Sequence, residues 1–518
     1  MEITLADEQK KSVEMFRDHN MVLFSGPPGS GKTFTLAYYL NNVCKVPRES
    51  RLYVAPTGKA AARFTEALHA MGMSSTATTI HAALEPRRGG QDGDGWAFNY
   101  TSQNPLPHDL IVVDESSMID SQLMASLLGA IRTGTKIILA GDPDQLPPVG
   151  PGKPFLDMIA SGNVPHAELT EIHRFAGRGA QVCQEIRAGR LPVYSQRLSL
   201  TPNAGPHGAE NCMFIQAGKA EKVVRLVMEQ IWEIDKLISQ VHPDEYDITE
   251  WVQVICARND TGGVSRTILN DSIQNELNPD GLCAPNTNFR LDDKVMCLRN
   301  QHAKLFEIGD KGPEMLRVGG RVTGRYLANG ETGRVTYLDG KKICVQFSGS
   351  EYSCQFPVSR DLSNELTLAY AVTAHKSQGG GWPFVIIVVD PAPFVDRSLV
   401  YTAHSRFQTG CVVIGDTATL KKQIAKNNVD GRKTMLAESL TEYGRVFEAE
   451  WVSLRATYTG WHIQSQSYEF SIGGKFVRLP AVMVHDSVED KSEPQTIWVR
   501  AWAGIEHLES EPLLIQEG

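Results

Sequence analysis

Residues Gly26-Pro27-Pro28-Gly29-Ser30-Gly31-Lys32-Thr33 fit the pattern G-x-x-x-x-G-K-[ST] and constrain the fold more than any other stretch. The apolar run Met21-Val22-Leu23-Phe24 precedes them, and a helix-forming segment, Phe34 to Val43, follows. Strand, glycine-rich loop and helix in that order are the context a phosphate-binding loop needs. The glycines let successive backbone N–H groups close around a β-phosphate, and Lys32 adds positive charge toward the β- and γ-phosphates. The Thr33 hydroxyl is placed to ligate Mg²⁺. The chain is therefore expected to bind a nucleoside triphosphate on an α/β sheet.

A chain of 518 residues suggests three or four domains, at roughly 100–200 residues each. No apolar run approaches the ~20 residues that span a bilayer. The acidic start, Met1 to Glu8, has no apolar signal segment, so the expectation is a cytoplasmic protein with no membrane contact. The nine cysteines show no C-x-x-C pair and read as reduced, mostly buried thiols. A net charge of −9 argues against coating nucleic acid through bulk charge, although a locally basic groove remains compatible with it.

Val/Ile/Leu-rich runs alternate with helical stretches: Arg51–Ala55, Leu110–Asp114, Lys136–Ala140, Val252–Cys256, Phe384–Asp390 and Cys411–Gly415. Continuous apolar strands joined by helices predict parallel sheets covered on both faces. Two groups of them, about a hundred residues apart, predict two lobes rather than one large sheet. The first lobe is placed at 1–175 and the second at 176–435. Within the first, 84–107 looks like an inserted hairpin. Within the second, ~290–360 alternates apolar and polar residues around Asn329-Gly330 and Asp339-Gly340, which predicts an inserted small β-barrel. Residues 436–518, rich in aromatic and β-branched types, read as a separate β-rich domain of unknown role.

Asp114-Glu115 ends a buried strand, where an open α/β sheet places its ligands. An aspartate there can hold Mg²⁺, and the adjacent glutamate can orient and deprotonate an attacking water. After the next strand comes Gly141-Asp142-Pro143-Asp144-Gln145, whose neutral glutamine can both donate to and accept from a γ-phosphate.

Taken in order, these motifs resemble those of superfamily 1 helicases, specifically the RecD-like and Dda-like branch. Gln9 resembles the family's adenine-reading glutamine. Ala55-Pro56-Thr57-Gly58-Lys59 and Thr79-Ile80-His81 resemble motifs that hold the DNA strand. Leu169-Thr170-Glu171-Ile172-His173-Arg174 and Tyr401-Thr402-Ala403-His404-Ser405-Arg406 resemble the two arginine-finger motifs. Thr373-Ala374-His375-Lys376-Ser377-Gln378-Gly379 resembles the motif coupling DNA contact to nucleotide state.

The resemblance implies two RecA-like P-loop lobes, a hairpin pin, an SH3-like barrel and Mg-ATP-driven movement 5′ to 3′ on single-stranded DNA. Lys32, Glu115, Gln145, Arg174 and Arg406 would then be catalytic. Gln9, Gly26, Pro27, Pro28, Gly29, Ser30, Gly31, Lys32 and Thr33 would hold ATP, with Thr33 and Asp114 on Mg²⁺. Pro56, Thr57, Thr79, His81, Thr373, His375, Trp96 and Phe98 would contact single-stranded DNA or its junction with duplex. His81 and His375 fit satisfied structural histidines equally well. Trp96, Phe98 and Tyr100 alternate on one face and suit either a pin or packing against their own lobe. A non-translocating P-loop ATPase and an RNA motor of the same superfamily are the alternatives. A protein partner at the C-terminal domain is compatible with its four tryptophans.

One departure concerns coupling. Where the resemblance leads one to expect an acidic residue soon after Gln378-Gly379, this chain reads Gly379-Gly380-Gly381-Trp382. The expected consequence falls on stepping rather than on hydrolysis.

Overall fold

Strand burial explains the first sheet. Met21–Ser25 and Leu110–Val113 are buried at every position, so neither alternates apolar with polar residues. The computed structural model describes residues 5–88, 96–170, 178–195, 198, 211–242, 246–259, 263–283, 285, 287–309, 312–429 and 436, and the strand backbone of 449–462, 467–472, 475–480 and 495–502.

The first sheet is parallel, in the order Thr78–Thr79, Arg51–Ala55, Leu110–Val113, Lys136–Gly141, Met21–Ser25, His166–Glu168. Helices Asp7–Asp18, Lys32–Asn42 and Gly58–Ala70 bury Phe16, Leu36, Phe64 and Leu68 against one face. Leu84, Met124, Leu127 and Phe155 cover the other. The glycine-rich loop leaves an interior strand, Met21–Ser25, with Lys136–Gly141 paired beside it. Both therefore deliver their loops to the same carboxyl edge.

The second sheet is also parallel, in the order Ala371–Thr373, Val252–Cys256, Trp382–Val388, Phe407–Gly415, Asn211–Gln216. Helix Ala220–Val241 lays Val223, Val227, Ile231, Ile234 and Ile238 on one face. Their spacing is that of an amphipathic helix. The α/β reading with parallel sheets flanked by helices therefore holds.

Between Lys294 and Leu368 the chain forms antiparallel strands that share one core with the second sheet: Val295, Val335, Ile343 and Phe347 pack in the same cluster as Val254 and Ile386. Of the two turn dipeptides, Asp339-Gly340 joins a true hairpin, Thr332–Leu338 with Lys342–Phe347. The Asp339 carboxylate accepts from the Lys341 and Lys342 N–H groups and fixes that turn. Asn329-Gly330 does not join a hairpin, because the strand before it, Gly324–Leu327, pairs instead with Gln301–Lys304.

In the first lobe Pro86–Arg88 pairs antiparallel with Trp96–Phe98. The C-terminal strands form an antiparallel sheet in the order Lys475–Pro480, Ser467–Ile472, Ala449–His462, Gln495–Trp502. No helix among the described residues is long and apolar enough to cross a membrane.

Candidate active site

The glycine-rich loop adopts a conformation that explains its composition. Gly29 and Gly31 stand at φ 83° and 90°, where a side chain would be strained. A Cβ on Gly31 would lie 2.7 Å from Nε2 of Gln9. Gln9 is buried behind the loop on helix Asp7–Asp18, and its Oε1 accepts the Ala6 N–H at 3.0 Å. Ser30 Oγ donates to the Pro27 carbonyl at 2.8 Å, tightening the loop from within. Lys32 Nζ donates to the Gly26 and Pro27 carbonyls at 2.6 and 3.1 Å, folded over the cradle. Helix Lys32–Asn42 starts directly beneath, so its N-terminal dipole faces the same space.

Thr33 Oγ1 lies 3.4 Å from Asp114 Oδ2. A hydroxyl and a buried carboxylate at that separation fit a shared hard cation, and Thr33 and Asp114 are the residues that would hold Mg²⁺. Glu115, immediately after, stands at φ 53°. For a residue with a side chain this left-handed backbone costs about 1–3 kcal/mol, and such strain concentrates where a side chain must be aimed. Its N–H donates to Asp114 Oδ1 at 2.9 Å. Both carboxylates line the same cleft.

Burial, reinforced by the neighbouring Glu115 charge, pushes the Asp114 carboxyl up to about 6, with Lys32 opposing. The folded protein therefore binds the Asp114 proton more tightly than the unfolded chain does. Stability falls as pH rises from about 4 to about 6 and stays reduced above that. At pH 8 the ionised Asp114 costs the metal-free protein on the order of 1–3 kcal/mol. The expected result is that Asp114→Asn melts higher than the unsubstituted protein at pH 8 without Mg²⁺. Thermal melts should show that difference shrinking toward pH 4.

The loop after Lys136–Gly141 crosses to the second lobe, and Leu146 is buried in that lobe's core. Its N–H donates to Thr402 Oγ1 at 2.9 Å. Asp142 Oδ2 accepts from Gln145 Nε2 and from the Tyr401 hydroxyl, each at 3.0 Å. Held that way round, Gln145 turns Oε1 to Arg406, whose Nη2 donates to it at 2.8 Å. Arg406 is 2% exposed and also donates to the Thr402 and Gly380 carbonyls. Burial lowers its affinity for a proton, and Glu115 and Asp142 oppose that shift. Helix Arg397–His404 carries Tyr401 and Thr402 and ends just before Arg406.

These groups meet in one cleft of about 510 Å³, lined from the first lobe by Lys32, Thr33, Asp114, Glu115 and Gln145, and from the second by Gly379 and Arg406. Its size suits a nucleotide. Arg174 lies outside the described residues, as does the Trp96 side chain.

The three threonines proposed to contact DNA share a local role that the sequence reading missed. Thr57, Thr79 and Thr373 each follow or end a strand and cap the next helix. Their hydroxyl oxygens accept from Ala60, Ala82 and Lys376 N–H at 3.3, 3.1 and 3.4 Å. Each cap is worth about 1 kcal/mol, and the Thr79 hydroxyl also hydrogen-bonds the Tyr326 phenol of the β insertion. Pro56 lies between strand end and cap. His81 and His375 are exposed, and the His81 ring stands 5.9 Å from Phe98. Phe98 and Tyr100 are half-buried against the first lobe's core, the packing alternative of the sequence reading. The β insertion reaches the same area: a Cβ on Gly58 would fall 1.9 Å from that of Ala328.

Comparison with known proteins matches residues 4–202 to the model of an AAA domain and residues 368–414 to that of a UvrD-like helicase C-terminal domain. The chain is 28% identical to the ATP-dependent RecD2 DNA helicase of Deinococcus radiodurans over 435 residues, 82% of this chain and 51% of that protein. It is 27% identical to the RecBCD enzyme subunit RecD of Mycolicibacterium smegmatis over 469 residues, covering 85% of this chain and 76% of that one. The chain thus spans about half the length of the first relative and about three quarters of the second. Among solved structures, Bacteroides Pif1 bound to single-stranded DNA superposes with a TM-score of 0.45 at 19% identity, covering 85% of this chain and 97% of that one. With both domain models matched and RecD-type relatives aligned over more than four fifths of its length, the chain is similar to RecD-type helicases of superfamily 1.

Proposed function

We propose that this chain is an ATP-dependent DNA helicase that moves 5′ to 3′ along single-stranded DNA and opens duplex ahead of it. The observation that carries the reading is the cleft itself. The phosphate loop, Asp114 and Glu115 stand on one sheet, and Arg406 reaches them from the other. A nucleotide there touches both lobes, so its binding and loss change how the lobes meet.

Bound Mg²⁺ supplies positive charge that neutralises the phosphates. Lys32 and the loop N–H groups bind and orient the triphosphate. Glu115 accepts a proton from the attacking water, Gln145 reports on the γ-phosphate, and Arg406 offsets charge that develops there. Thr57 and Thr79 on one lobe and Thr373 on the other donate to strand phosphates, contacts that position a strand without reading its sequence. Relative movement of the lobes then moves one grip past the other.

Steady-state ATP hydrolysis with and without single-stranded DNA tests the link between the two sites. Stimulation of at least tenfold is expected, and identical rates would remove the motor reading.

A further inference from the structure

The arginine assigned to catalysis has its donors occupied, whereas another arginine in the cleft does not. Arg63, on helix Gly58–Ala70, lines the cleft with Lys32, Asp114, Glu115 and Arg406. Its Nη1 donates to the Gly379 carbonyl of the second lobe at 2.9 Å. Among the described residues that is its one hydrogen-bond partner. The rest of its planar fork, a shape suited to phosphate oxygens, is unused. Arg406, by contrast, spends Nε, Nη1 and Nη2 on protein acceptors.

We propose that Arg63 binds the γ-phosphate of ATP in the ground state and, when it does, gives up or shares its hold on Gly379. The role rests on reading the cleft as an ATPase site. Asp114, Glu115 and Gln145 mark the γ end of that site, and Arg63 is the first-lobe cation beside them other than Lys32. Its charge already lowers the Asp114 carboxyl slightly against the larger effect of burial.

The position also has a mechanical consequence. Gly379 begins the glycine run that stands where an acidic residue was expected. A Cβ on Gly379 would lie 3.5 Å from the Ala60 nitrogen, and one on Gly380 would lie 2.7 Å from Lys59 Nζ. Lys59 Nζ in turn sits 4.6 Å over the Trp382 ring. The run is therefore seated on the first turns of the helix that Thr57 caps. A γ-phosphate competing for Arg63 loosens that seam next to a candidate strand contact.

The test is equilibrium binding of fluorescent ATP and ADP analogues, with Mg²⁺, to the full chain and to Arg63→Ala and Arg63→Lys. Arg63→Ala should weaken the ATP analogue about tenfold or more and leave the ADP analogue within twofold. Arg63→Lys should recover part of the loss. An unchanged ATP-to-ADP ratio in Arg63→Ala would overturn the proposal, because a residue that only ties the lobes together does not distinguish the two nucleotides. If Arg63→Ala does not fold, Arg63→Lys and Arg63→Gln carry the same comparison, with Gln expected to show the larger loss of ATP preference. An unsubstituted chain that binds neither analogue would instead overturn the ATPase reading on which the proposal rests.

Discussion

Arg406→Ala should bind ATP within a few-fold of the unsubstituted protein and hydrolyse it about 10³–10⁵ times more slowly. The size of the effect follows from where the guanidinium stands. It is buried, it comes from the lobe opposite Lys32, and it is already held by Gln145, Thr402 and Gly380. A positive charge fixed in a dry site needs no reorganisation when charge develops on the phosphate, which is what makes it effective on rate rather than on binding. Removing it also strands buried acceptors, at about 1–3 kcal/mol of stability. Melting curves must therefore accompany the kinetics. Pre-steady-state hydrolysis with single-stranded DNA present separates the two effects. A folded variant with undiminished turnover would contradict the assignment.

Glu115→Gln should retain ATP binding and lose about 10²–10⁴ in turnover, the usual contribution of a positioned general base. The substitution keeps shape and removes only the ability to take a proton. The left-handed backbone at this residue carries the argument further. A strained conformation persists where the surrounding fold imposes it, and here it falls on the residue proposed as the base. Asp114 faces Thr33, where the two would hold Mg²⁺, and Glu115 lines the same cleft as the proposed base for water. Trapping of unhydrolysed ATP on Glu115→Gln, measured by rapid filtration, is the check. Turnover equal to the unsubstituted protein would move the base elsewhere.

Much of this site was legible before the fold was known, because the relevant chemistry sits in contiguous strings. Gly26 to Gly31 must be a loop between strand and helix for its glycines to make sense, and Asp114 must follow a strand that is apolar throughout. Sequence reading failed where a role depends on a partner hundreds of residues away. Nothing in Asp142 announces that it fixes the amide of Gln145 and receives the hydroxyl of Tyr401 across the lobes. Arg63 looks like an ordinary helical arginine until Gly379 is placed beside it.

The threonines show a different limit. Thr57, Thr79 and Thr373 each stand three residues before the N–H they accept from, a pattern readable as a helix cap. At Asn329-Gly330 a strong turn signal was present and correct about the turn. The hairpin it favours does not form, because long-range register decides the pairing.

Unwinding of a partial duplex that carries either a 5′ or a 3′ single-stranded tail, with ATP and Mg²⁺, tests motor activity and polarity together. Strand separation from the 5′ tail alone, lost in Arg406→Ala, is the expected result. Separation from the 3′ tail alone, or none from either tail while ATP is hydrolysed, would contradict it.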